Sequence, residues 1–159
     1  MAVSTIQAEE FLSHHRLAVV GASDASGNFA ATVYDELRKH DYDVVAVNPG
    51  ATTVRGDPCY PDLASVPGPV DGAIVMVGHE RAADIVRQAV AAGVPRVWLF
   101  RGIGGTGAVS KEAVAVAHEH DLEVVEGACP IMFLEPVGWI HQVHRSVRRL
   151  RHDLTTAPG

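Results

Sequence analysis

The sequence predicts an α/β fold, a doubly wound sheet of five parallel strands in the order 3-2-1-4-5 with helices on both faces. Three observations carry this expectation. Short continuous apolar runs, such as Leu17-Ala18-Val19-Val20 and Val44-Val45-Ala46-Val47, read as strands buried on both faces, as strands of parallel sheets are. Segments with apolar residues at helical spacing alternate with these runs, the pattern of a sheet covered on both sides. The length of 159 residues, 47% of them hydrophobic and 20% charged, suits one domain with its own core. The commonest short solution for such a pattern is a Rossmann-like sheet.

Residues 5–13 open the chain with a short helix, apolar at Ile6, Phe11 and Leu12 and capped by Ser4 or Thr5. The first strand, 17–20, ends in Gly21. A helix over 29–40 follows, with Val33, Tyr34 and Leu37 at helical spacing. The second strand, 44–47, is stopped by Asn48-Pro49-Gly50. The stretch 51–69 is loop-rich, and a short helix at 61–65 is the element expected within it. The third strand is 72–77. The helix over 79–92 carries Ala82, Ala83, Ile85, Val86, Ala89 and Val90, and Gly93 closes it. The fourth strand, 96–100, runs into the glycine-rich segment 102–107, and a helix over roughly 108–120 leads to the fifth strand, 122–126. Beyond Gly127-Ala128-Cys129-Pro130 a C-terminal helical extension is expected from about 131 to 152, interrupted early by Pro136 and Gly138. The chain, 1–159, thus reads as a single domain.

Composition narrows the function classes. Thirteen basic against nineteen acidic residues leave a net charge of -6, which argues against a broad nucleic-acid surface. Two cysteines, Cys59 and Cys129, make neither a disulfide framework nor a metal cluster. The first ten residues lack the basic and apolar regions of a signal peptide, and no apolar stretch reaches the ~18 residues of a membrane span. A reduced, cytoplasmic location is the expectation.

In sheets of this class a ligand sits beyond the carboxyl ends of the strands where their order reverses. For the order 3-2-1-4-5 that is the crevice between the first and fourth strands. The loop Gly21-Ala22-Ser23-Asp24 faces it. A strand running through a glycine into a helix presents backbone N–H groups to phosphate, and the helix dipole adds to their pull. A dinucleotide fingerprint asks for glycines at 21, 23 and 26, and the chain has Gly21, Ser23 and Ser26. An NAD site also asks for an acid after the second strand, where Asn48-Pro49 stands. Both departures count against an NAD(P)-linked oxidoreductase or other nucleotide-binding enzyme, which is kept as the alternative. Hydroxyls at 23 and 26 suit the phosphates of a different nucleotide. Arg101, after the fourth strand, is placed to reach a phosphate in the crevice, and Gly102 begins a loop able to close over it. An ordinary surface arginine is the competing reading.

These residues also carry a resemblance. Val19-Val20-Gly21-Ala22-Ser23, Val45-Ala46-Val47-Asn48-Pro49, Gly56-Asp57-Pro58-Cys59-Tyr60-Pro61-Asp62-Leu63 and Val70-Asp71 look like the CoA-binding domain family. Its small stand-alone members are relatives of the CoA-binding domains of succinyl-CoA synthetase and acyl-CoA synthetases. The resemblance spans about residues 16–129. It implies a Rossmann-type fold that binds CoA or an acyl-CoA. CoA's phosphates would then lie on Gly21, Ala22 and Ser23. The segment Val47, Asn48 and Pro49 would border the adenine end, and Val77 and Gly78 would line the same cleft. Many members carry a basic residue near the position of Asn28 and an arginine after the third strand, where this chain has Gly78-His79. CoA's charge would then fall to Arg55, Arg101, backbone amides or a neighbouring subunit. In the synthetases such a domain works beside a phosphorylated histidine and an ATP-grasp domain, which implies a separately encoded synthetase partner here.

The remaining chemistry-bearing residues are few. Cys129 precedes Pro130, a favoured first helical residue, so it reads as an N-cap whose thiol the helix dipole would acidify. A small buried filler is the other reading, and Cys59 beside Tyr60 reads the same way. His141 and His144 share a helix face but make only two ligands where metal sites want three or four. Arg145, Arg148, Arg149 and Arg151 form a basic stripe, with Val143, Val147, Leu150 and Leu154 largely on another face. That amphipathic helix would dock on the sheet or pair two copies as a homodimer, and a ligand-free interaction module is the further alternative. The sequence shows no nucleophile–base pair, metal set or acid pair, so binding without catalysis is the expectation.

Overall fold

The computed structural model describes residues 4–102 and 105–134. Its elements, in chain order, are α1 (Thr5–Leu12), β1 (Arg16–Val20), α2 (Phe29–Lys39), β2 (Asp43–Val47), β3 (Thr53–Val54), β4 (Asp57–Tyr60), β5 (Gly72–Val75), α3 (His79–Ala91), β6 (Arg96–Leu99), α4 (Lys111–Glu119) and β7 (Glu123–Glu126), closed by a 3-10 turn at Pro130–Phe133. The seven strands form one sheet in the order β3-β4-β2-β1-β5-β6-β7. All pairings are parallel except β3 with β4.

The α/β class and the doubly wound, Rossmann-like arrangement are as expected, but the strand count and order are corrected. The expected third strand does not lie beside β2. That place belongs to β4, which pairs Cys59 and Tyr60 with Ala46 and Val47. The run at 72–75 pairs instead with β1 on its other side, Leu17 opposite Gly72 through Val20 opposite Val75. The order therefore reverses between β1 and β5, not between the first strand and the one at 96–99. The expected helix at 61–65 is a series of bends and turns. The C-terminal extension, with His141, His144 and the basic stripe, lies outside the described residues apart from the 3-10 turn.

Side chains alternate across the strands, so each strand feeds two cores. Leu17 and Val19 of β1 join Phe11, Val33, Tyr34, Leu37 and Trp98 under α1 and α2. Ala18 and Val20 join Val75, Val86, Leu99 and Val116 under α3 and α4. On the first face the Trp98 ring meets Phe11 edge-on, centroids 5.4 Å apart, and its indole N–H donates to Gly127 O at 3.0 Å. The Tyr34 hydroxyl donates to Asp57 at 2.7 Å and so ties α2 to β4.

Candidate functional site

The loop after β1 is shaped by Gly21 and two asparagines. Gly21 has φ +110°, and a Cβ there would lie 2.5 Å from Met76 O, so only glycine lets the loop pass this close over the end of β5. Its N–H donates to Val47 O at 2.8 Å, which ties it to the end of β2. Asn28 caps α2: its side-chain oxygen accepts from Ala31 N at 2.8 Å. The Asn28 amide nitrogen donates to Gly21 O at 3.1 Å and to Ser23 Oγ at 3.0 Å. The Ser23 hydroxyl also accepts from Ala25 N at 3.3 Å, which leaves its own proton to donate elsewhere. Phe29 N and Ala30 N, ahead of the capped amide, have no acceptor inside the helix. Asn48 reaches across from the second loop, donating to Ala22 O at 3.1 Å and accepting from Gly50 N at 2.9 Å.

A cleft of about 500 Å³ opens where the strand order reverses. Val20 and Gly21 from the end of β1, and Met76 and Val77 beyond β5, line its base. Val47, Asn48 and Pro49, with Pro61 and Asp62, form one wall, and Arg81, Asp84, Ile85 and Gln88 of α3 form the other. Of the residues expected at the site, Gly21, Val47, Asn48, Pro49 and Val77 thus meet in one cavity. Ala22, Ser23 and Asn28 build the loop at its edge, and Gly78 is the N-cap residue of α3. Arg101 and Gly102 lie elsewhere. They line a second, largely apolar cavity of about 700 Å³ with Phe29, Phe100, Ala128, Cys129 and Met132. There Arg101 Nε donates to Gly105 O at 3.0 Å. Arg55, the other cation expected to meet a ligand's charge, is tied to Asp35 at 3.0 Å and to Asp24 at 3.6 Å.

The α3 wall was missed by sequence reasoning. Residues 81, 84, 85 and 88 are spaced by three, four and seven, so they share a helix side. That periodicity was legible, but the same helix also buries Ala82, Ala83, Ile85 and Val86, and the apolar stripe masked it. Of the two readings of Cys129, the thiol acidified by a helix dipole is overturned. It stands at the N-cap position with Pro130 at the first position, but of a four-residue 3-10 turn, and its side chain makes no capping bond. Burial pushes its thiol up, and the amides of Ile131 and Met132 only partly offset that. Burial raises the Cys59 thiol as well. Among the described residues no group of three metal-ligating side chains converges, and no helix is long and apolar enough to cross a membrane.

Comparison with known proteins shows the family and the fold. The family model described as "CoA binding domain" matches residues 15–135. The chain is 33% identical over 118 residues to an ADP-forming acetate–CoA ligase I of Archaeoglobus fulgidus, covering 71% of this chain and 17% of that protein. It is 27% identical over 125 residues to the alpha subunit of an ADP-forming acetate–CoA ligase II of Pyrococcus furiosus, covering 75% of this chain and 27% of that subunit. The chain therefore spans under a third of the length of these ligase relatives. Among solved structures, a hypothetical protein from Pyrococcus horikoshii OT3 superposes with TM-score 0.75 at 28% identity, covering 82% of this chain and 89% of that one.

Proposed function

This chain belongs to the CoA binding domain family, and on that premise we propose that it binds CoA or an acyl-CoA in the cleft above Gly21. The observation that carries the reading is the coincidence of that cleft with the point where the strand order reverses, its base including a glycine whose Cβ would press on a main-chain oxygen. In this reading the CoA diphosphate lies against the start of α2. The Phe29 and Ala30 amides and the free Ser23 proton donate to it, and the dipole of an eleven-residue helix adds its pull. Asn28 and Asn48 serve by holding the loop in shape, since their hydrogen-bonding groups are largely engaged within the chain. The adenine end lies between Val47-Asn48-Pro49 and α3.

The role proposed is binding, with acyl or phosphoryl chemistry supplied by a separately encoded synthetase partner. The reading is supported by the chain's likeness to a short part of ligases and to one ligase subunit. The expected location is cytoplasmic.

The test is titration calorimetry and thermal shift with CoA, acetyl-CoA and NAD at equal concentrations. CoA and acetyl-CoA are expected to bind and to raise Tm, since a ligand of the native state alone must do so. NAD is expected to leave Tm unchanged. Ser23→Asp, which sets a carboxylate against the diphosphate, is expected to abolish the CoA response while retaining the fold. A folded wild-type protein that responds to NAD and not to CoA would overturn the reading.

A further inference from the structure

The cleft at Gly21 is walled by three charged residues, Asp62, Arg81 and Asp84. Both acids are already engaged. Asp62 accepts from Ser65 N at 2.8 Å and from Ser65 Oγ at 2.7 Å. Asp84 accepts from Arg87 at 2.8 Å. Arg81 is different. Among the described residues Arg16, Arg38, Arg55, Arg87 and Arg96 each pair with a carboxylate, and Arg101 donates to a carbonyl. The Arg81 guanidinium has no such partner among the described residues, and it is the one cation among those that line the cleft.

We propose that Arg81 holds the phosphate carried on the ribose of bound CoA, the 3′-phosphate, and so makes the cleft prefer CoA over the same molecule lacking that group. This inference rests on the CoA reading above. CoA carries its anions in two places. The diphosphate links the ribose to the pantetheine arm, and a third phosphate sits on the ribose itself, beside adenine. The start of α2 serves the diphosphate in this reading. The cavity that holds Val47, Asn48 and Pro49 also holds Arg81 on its opposite wall, so a cation there faces the ribose rather than the diphosphate. Guanidinium is suited to the task, because its planar fork meets two phosphate oxygens at once. Its place in the first turns of α3, on the same side as Asp84, Ile85 and Gln88, directs it along the wall of the cavity. The neighbouring acids do not compete for it, since each has a partner of its own.

The experiment is calorimetric titration of the full chain and of Arg81→Gln and Arg81→Lys with CoA and with dephospho-CoA. Far-UV circular dichroism checks that each variant is folded. The wild type is expected to bind CoA at least about tenfold more tightly than dephospho-CoA, the scale of a hydrogen-bonded charge pair. Arg81→Gln is expected to weaken CoA by that factor and leave dephospho-CoA unchanged, so that the preference disappears. Arg81→Lys, which keeps the charge and loses the fork, is expected to recover part of it. Equal wild-type affinities for the two ligands would overturn the assignment while leaving the CoA reading intact. So would an Arg81→Gln variant that weakens both ligands alike, or neither. A folded wild type that binds neither ligand would overturn the CoA reading and this assignment with it.

Discussion

Gly21 shows how much of the site depends on one missing side chain. Two separate restraints act there. The backbone lies at φ +110°, where a Cβ is disfavoured, and the added atom would stand 2.5 Å from a main-chain oxygen of Met76 that cannot swing away. Gly27, in the same loop, has φ +76° and nothing within 4 Å of a built Cβ, so it carries the first restraint alone. Gly27→Ala is expected to cost about 1–2 kcal/mol, the scale of a left-handed residue. Gly21→Ala is expected to cost clearly more and to lose CoA binding, because the strands must part to admit the methyl group. Urea midpoints for the two variants check this, and equal midpoints would show that the close approach to Met76 carries no weight. The need for Gly21 was visible in the sequence, since a strand that ends in glycine before a helix announces the turn. The reason for Ser23 and Asn28 was not. Their bonds run within the loop, and a sequence shows the polar groups without showing which of them are already satisfied. The engagement of Arg55 was hidden for the same reason. The acids Asp24 and Asp35 that hold Arg55 are 31 and 20 residues away in the chain.

Each cap fixes one helix, which lets the loop's role in binding be separated from its role in folding. Asn28 caps α2 through Ala31 N, and Ser110 caps α4 in the same manner through Ala113 N at 3.0 Å. Losing either cap should cost about 1 kcal/mol. Ser110 does not line the cleft, whereas Asn28 also grips Gly21 and Ser23. Ser110→Ala is therefore expected to lower stability by its cap alone and Asn28→Ala by more, with CoA affinity falling only in Asn28→Ala. A loss of affinity in both, measured by calorimetry, would assign the effect to general loosening. Legibility at this scale followed burial. The strands β1, β2, β5, β6 and β7 and helices α2, α3 and α4 stood out because their apolar residues are continuous or periodic. The strand β4 did not, because Asp57 and Pro58 carry the signature of a turn, and only Cys59 and Tyr60 pair with β2. The two-residue β3 is too short to leave any period at all. Missing β4 put the expected third strand on the wrong side of β1, so that the strand at 96–99, and not β5, was expected to bound the crevice.

The two cores lie back to back on one sheet, and this decides how the molecule should respond to damage on either face. Leu17 on β1 is fully buried in the core under α1 and α2, and Leu99 on β6 is fully buried in the core under α3 and α4. Truncation of either to alanine should cost about 2–5 kcal/mol. The strands that carry these residues are joined edge to edge through β5, so neither core can lose its order while the other keeps its sheet intact. The cleft joins the faces further, because Gly21, which Asn28 ties to the cap of α2, lies at its base and α3 walls it from the other core. Leu17→Ala and Leu99→Ala are accordingly expected to shift a single unfolding transition to lower urea with unchanged slope, far-UV circular dichroism and tryptophan fluorescence falling together. If the proposed site binds CoA, saturation at a hundred times its Kd should return about 2.7 kcal/mol to both variants alike, since each unfolds as one unit and only the native state binds. Two separated transitions in either variant, or rescue of one and not the other, would mean that the faces unfold independently and that the cleft belongs to only one of them.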